Sequence, residues 1–316
     1  MEGLAGIVAA EVRGVHCSVE GVEALRDVSL MVFKGEVTAL LGHPEGEVLV
    51  NLWSGVLRPV AGAVASLGLD PYAERREVAG RIGYLPGEVW LPPELRPEVL
   101  AGLVGGGHGL APRGAVERLK NILRRLGKEG VLGRRICGLS SEDRQALAVA
   151  LTMLHDPELL LLSYPLRRLG PLARLELSSI LREYVSPGRA VVLTVDSVEE
   201  AGFANRLILF REGRVVAAGP LLELSKTIGA ENYVVIQALY TQRTVDYLGK
   251  MPQVKRFSVS RDGSIKVWLR DFESDMPVVL DLLMSLGLGV RLIGVERVDY
   301  HVALLNFLRG RGGGGR

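Results

Sequence analysis

Gly42-His43-Pro44-Glu45-Gly46-Glu47 lies between an apolar run, Glu36 to Leu41, and a helical pattern. A glycine-bounded loop in that place can wrap a phosphate, because backbone N–H groups at a helix N-terminus point at an anion. The complete chemistry asks for GxxxxGK[ST]. There the lysine meets the β/γ charge and the hydroxyl holds magnesium. Neither residue is present, and no Lys or Arg occurs from Gly35 to Leu57. Glu45 and Glu47 stand there instead. A carboxylate about 4 Å from a phosphate charge costs on the order of 4 kcal/mol at an effective dielectric of 20. Pro44 also removes one backbone donor. The loop has the position of a phosphate cradle and the wrong charge for one.

A second constellation follows the leucine run Leu159 to Leu162, which ends in Ser163 and Tyr164. Magnesium-dependent hydrolysis at a strand end needs one carboxylate for the metal and a group that orients the attacking water. Ser163 and Tyr164 serve as neither near neutral pH. A third, Leu139-Ser140-Ser141-Glu142-Asp143, opens a helical pattern. Glu142 and Asp143 suit the positive end of the helix. Glu45 and Glu47 are expected to cap and solubilise their own helix in the same way. His43 is expected to be a solvated loop residue. Cys17 and Cys137 lie far apart and give neither a disulfide framework nor a spaced metal site.

The elements that must position these residues alternate. Strands are expected at 36–41, 81–85, 158–162 and 190–195, and helices at 47–56, 116–126, 142–154 and 172–184. A hairpin over 206–218 turns at Glu212-Gly213. Buried apolar strands between helices predict a largely parallel sheet covered by helices. Beyond about residue 231 the rhythm becomes βαββαβ, the ferredoxin-like order. A last amphipathic helix is expected at 300–308 and a disordered tail at 309–316.

The chain has 316 residues, 48% apolar and 23% charged, so two domains with packed cores are expected. The 38 basic and 36 acidic residues leave a net charge of +2, spread along the chain. That argues against a dedicated nucleic-acid binder. No run reaches the length of a membrane span, and the first residues lack a secretory signal.

The order of landmarks resembles the nucleotide-binding subunit of ABC transporters over the first 225 residues. "ALRDVSLMVFKGEVTALLG" (Ala24 to Gly42) is similar to the family's approach to the phosphate loop. "RIGYLPGE" (Arg81 to Glu88) is similar to the Q-loop segment, and "GLSSEDRQALAVALTMLHDPELLLLSYP" (Gly138 to Pro165) to the signature, its helix and the acidic strand. "VLTVDSVEEAGFANRLILFREGRVVAAG" (Val192 to Gly219) is similar to the switch segment and closing hairpin. The resemblance implies an α/β, P-loop NTPase-like nucleotide-binding domain over 1–225. It implies a small α+β, ferredoxin-like accessory domain over 231–308, as in some export-type members.

Residue by residue, the family's chemistry is missing. Ser163 and Tyr164 replace the magnesium aspartate and catalytic glutamate, Gly87 the Q-loop glutamine, and Asp196 the switch histidine. Leu139 to Asp143 replaces LSGGQ with both glycines lost. Leu169-Gly170 stands where the family has Leu-Asp, and Val19 where it has an aromatic. The scaffold matches, at Gly35-Glu36, Ser54-Gly55, Gly83-Tyr84 and Asp156-Pro157. The expectation is an ABC-type subunit without ATPase chemistry, holding no metal and no cofactor. It would partner transmembrane subunits and an intact ATPase subunit, or a copy of itself. Its place would be cytoplasmic, at the inner face of the cell membrane. Trp90 would either mark a docking patch for a membrane subunit or pack within its own domain. Two alternatives remain: a divergent exporter ATPase using ATP and magnesium, and a non-transport sensor working through the C-terminal domain.

Overall fold

In the computed structural model, residues 7–220 apart from 187, residue 224, and residues 233–296 apart from 261 are described. The helix expected at 300–308 and the tail at 309–316 lie outside these residues. The chain divides into two compact units, Met1–Leu224 and Ser225–Arg316.

The first unit opens with two long strands, β1 (Val8–Val19) and β2 (Val22–Phe33), paired antiparallel. β3 (Val37–Leu41) leads into α1 (Glu45–Trp53), and β4 (Ala61–Ser66) pairs with β1. α2 (Arg75–Arg81) runs directly into β5 (Ile82–Leu85). Three helices follow: α3 (Pro97–Gly107), α4 (Pro112–Arg125) and α5 (Ser141–Thr152). β6 (Leu159–Leu162), α6 (Pro171–Val185) and β7 (Ala190–Val195) come next. The hairpin β8 (Arg206–Arg211) and β9 (Arg214–Pro220) closes the unit.

One sheet has the order β5-β6-β7-β3-β8-β9, parallel through β8 with β9 antiparallel at the edge. The other is the antiparallel β2-β1-β4. α1 is sandwiched between them. Leu49, Leu52 and Trp53 are fully buried in one core with Val12 and Leu25 of the antiparallel sheet and Leu161 and Val192 of the parallel one. The Trp53 indole N–H is satisfied by donating to Glu11 O. A separate core joins α3, α4 and α5 through residues such as Leu100, Leu119 and Leu147. Strands β6 and β7 are buried along their whole length. That burial is why they read as continuous apolar runs rather than alternating ones.

The expected helix at 47–56 is displaced. α1 starts two residues earlier, at Glu45, and ends at Trp53. Gly55 then takes φ +76, where an added Cβ would meet Pro71 O at 2.5 Å. The helix therefore cannot run on through this position.

The second unit runs β10 (Tyr233–Ala238), α7 (Thr241–Leu248), β11 (Val254–Val259), β12 (Ile265–Leu269), α8 (Phe272–Ser285) and β13 (Val290–Glu296). Its sheet has the order β11-β12-β10-β13, all neighbours antiparallel. Val234, Ile236, Ile265 and Val267 pack there against Leu248, Val279 and Leu283 of the helices.

Candidate functional site: a rebuilt nucleotide end of the sheet

The parallel strands β3, β6 and β7 end side by side, which is where an open α/β sheet places its ligand crevice. Gly42 leaves β3 with φ +151. An added Cβ there would meet Phe210 Cβ at 2.6 Å, so the close passage of the loop over β8 needs glycine. His43 and Pro44 follow, and α1 begins with no side-chain N-cap.

The capping role expected of Glu45 is not what the fold uses it for. Its side chain is buried, at 5% exposure, and Oε1 accepts the Gly213 N–H at 2.9 Å from the β8–β9 turn. That bond staples the phosphate-loop position to the closing hairpin. Beside it lies an open cavity of about 510 Å³ with Glu23, Glu45 and Glu212 among its walls, and Arg26 and His43 as its basic groups. Arg26 is already paired with Glu23. Glu47 has a different neighbour. A Cβ built on Gly87 would collide with the Glu47 carboxylate. Glu47 thus fills the space that a residue 87 side chain would need.

Tyr164 ties three of the altered positions together. It is 3% exposed, sits at φ +48, and its N–H donates to Thr194 Oγ1 at 2.7 Å. Its hydroxyl hydrogen-bonds His43 Nδ1 at 2.9 Å. The Arg167 guanidinium lies over its ring, 3.4 Å from the centroid. Arg167 in turn donates two hydrogen bonds to Asp196, at 2.7 and 2.6 Å. His43 is thus an exposed loop residue that is also engaged through Tyr164. Burial, opposed in part by Arg167, pushes the Tyr164 phenol up to about 12. It stays protonated through the physiological range and cannot act as a base. The Arg167 bond holds the Asp196 carboxyl below its usual range, so Asp196 is a fixed anion already spent on Arg167. Ser163 is 1% exposed and its Oγ has no hydrogen-bond partner.

At the signature, Ser140 caps α5 by accepting the Asp143 N–H at 3.0 Å. Glu142 accepts the Gly170 N–H at 3.0 Å and pairs with Lys128 at 2.9 Å, while Asp143 lies 3.5 Å from Lys128. Lys128, and then the Gly170 N–H, lower the Glu142 carboxyl below its usual range. The positive end of α5 is neutralised from within the chain.

Sequence reading located the altered positions and missed their partners. Arg167, Thr194, Gly213 and Lys128 carry no motif of their own. They reach the site only because distant segments meet at the strand ends. An arginine three residues after Tyr164, close to a buried sheet end, was the one available hint.

Comparison with known proteins gives the lineage. The family described as ABC transporter matches residues 25–166. The ABC transporter ATP-binding protein NatA of Bacillus subtilis is 28% identical over 228 residues, covering 69% of this chain and 91% of NatA. The daunorubicin resistance ATP-binding protein DrrA3 of Streptomyces coeruleorubidus is 33% identical over 218 residues, covering 68% of this chain and 69% of DrrA3. The chain belongs to the ABC transporter ATP-binding family. A solved ATP-binding subunit of an ABC transporter shares the fold of this ABC domain, with a TM-score of 0.63 at 24% identity over 70% of this chain and 93% of that one.

This lineage corrects the expectation of no cofactor. The relatives are ATP-binding proteins, and the nucleotide that belongs to the family is ATP with magnesium. The residues of this ABC domain fit that group poorly where it would be held. There is no lysine in the loop, no carboxylate at 163 or 164, and an unpartnered serine hydroxyl where a metal ligand would stand. Among the described residues, no group of three or more His, Cys, Asp or Glu could hold a metal ion, and no helix is long and apolar enough to cross a membrane.

Proposed function

We propose that this chain is an ABC transporter subunit whose hydrolytic machinery has been replaced by internal contacts. It serves as a structural or regulatory partner of an active ATPase subunit and of transmembrane subunits, at the inner face of the cell membrane. The observation that carries this reading is the His43–Tyr164–Arg167–Asp196 chain. It joins the loop after β3, the end of β6 and the end of β7 through groups that satisfy one another: the Tyr164 phenol stays protonated and the Asp196 carboxylate is spent on Arg167. ATP with magnesium is the ligand the family brings. Once bound here it would meet Ser163 and Tyr164, and no carboxylate, at the end of β6.

The partner half of the proposal rests on surface. Trp90 is 78% exposed between β5 and α3, and Leu103 on α3 is 63% exposed. Val56 and Val99 are exposed as well. Large apolar groups at these positions suit burial by another subunit. The second unit is proposed as an accessory domain of the same subunit.

Phosphate release from magnesium-ATP by the full chain tests the hydrolytic half. The expected rate equals that of buffer alone. Turnover that depends on magnesium and on the chain would return the reading to a divergent ATPase.

A further inference from the structure

His108 ends α3 and His155 follows α5, and their rings stack with centroids 3.6 Å apart and planes 9° from parallel. His155 Nε2 lies 2.9 Å from Ile82 O, so Nε2 carries the proton and donates to that carbonyl. His155 Nδ1 is buried and has no hydrogen-bond partner. The two rings wall a cavity of about 370 Å³ shared with Val56, Arg75, Tyr84 and Val104.

The charges around the pair come from every side. Arg75 faces the cavity from α2. Arg118 of α4 donates to Leu154 O at 2.8 Å, next to His155. Asp156 is already paired with Arg189. Tyr84 on β5 is neutral and donates to Asn51 Oδ1. Two arginines against one spent carboxylate favour neutral imidazoles. A second proton on His155 would sit on a buried Nδ1 with no acceptor, and one on the exposed His108 would place its charge at stacking distance from the other ring.

We propose that the His108–His155 stack is a pH-sensitive latch that fastens the end of α3 to the end of α5 while both rings are neutral and releases it on protonation. Desolvation lowers both imidazoles from their ordinary range, in half-buried His155 and in His108, an exposed residue whose ring is covered on one face by the stack. The His108 charge and Arg118 lower His155 further, against the Ile82 bond and Asp156. Depressed values mean that the folded arrangement binds protons less readily than the open one. The fastening is therefore complete above the ordinary histidine pKa of about 6.5 and is lost as pH falls through the lowered values. Val56 and α3 also carry the apolar groups assigned above to a membrane partner. Acid would therefore loosen the wall of that docking surface. This consequence rests on the docking reading; the latch does not.

Hydrogen exchange by mass spectrometry on the full chain, at pH 7.5 and 5.5 and corrected for intrinsic rates, tests the latch without any partner. The native chain should show about tenfold faster exchange at pH 5.5 over 97–108 and 150–156, with 171–185 unchanged. His108→Phe keeps a stacking ring that takes no proton, leaves His155 alone to respond, and should cut that response to about threefold. An unchanged native chain, or a full response in His108→Phe, would overturn the proposal. If His108→Phe does not fold, ring-proton NMR titration of the native chain decides. Both imidazoles should titrate below about 6.5, and either one titrating above it rejects the latch.

Discussion

Helices α1 and α5 each engage a first-turn carboxylate with other groups of the chain. They do so by different physics. Glu45 in α1 is buried, makes no ion pair among the described residues, and spends an oxygen on the Gly213 N–H. Glu142 in α5 is half-exposed and is held by Lys128 together with the Gly170 N–H. A buried carboxylate that satisfies a backbone donor becomes part of the framework. An exposed ion pair is an adjustable surface feature. The phosphate-loop end has thus been committed to structure, and the signature end has only been neutralised.

The largest effect that could break this contrast is at Glu45. Glu45→Ala leaves the Gly213 N–H unpaired and should cost about 1–3 kcal/mol. Urea denaturation followed by Trp53 fluorescence would show it, and a cost below about 0.5 kcal/mol would reduce the staple to a surface contact. Next comes Tyr164→Phe, which keeps the ring under Arg167 and removes the His43 bond. It should cost about 0.5–1.5 kcal/mol by the same assay. Glu142→Gln is expected to cost less than about 1 kcal/mol, because the pair with Lys128 is partly solvated. A cost equal to that of Glu45→Ala would erase the distinction between the two helices. The smallest effect is in acid. Asp196 and Glu142 both titrate below their usual range, so their contribution is present above ordinary carboxylate pKa values and fades as pH falls through the lowered ones. Asp196→Asn should flatten the stability of the first unit between about pH 5 and 3, which denaturation midpoints across that range would reveal.

Legibility in the sequence followed burial. Leu159 to Leu162 and Ala190 to Val195 are buried on both faces and could be read directly. The hairpin was marked by Glu212-Gly213, both at positive φ. α3 was not legible, because its sequence PEVLAGLVGGG has the glycine content of a loop. Its helicity comes from packing Leu100, Ala101 and Gly105 against α4 and α5. The long hairpin of β1 and β2 was also hidden. Several register shifts break its alternation, and one face of it lies on α1. At the site, residue types showed which groups stand at the strand ends. What those groups do depends on contacts such as Glu45 with Gly213 and Glu47 beside Gly87, which no local pattern encodes.

The central claim is that the end of β6 offers bound ATP no carboxylate to activate water. A single-turnover assay tests it most directly: γ-labelled ATP with magnesium, a molar excess of the full chain, and acid quenches over hours. The account predicts labelled phosphate at the level of the protein-free control at every time. A magnesium-dependent burst approaching one phosphate per ATP would contradict it.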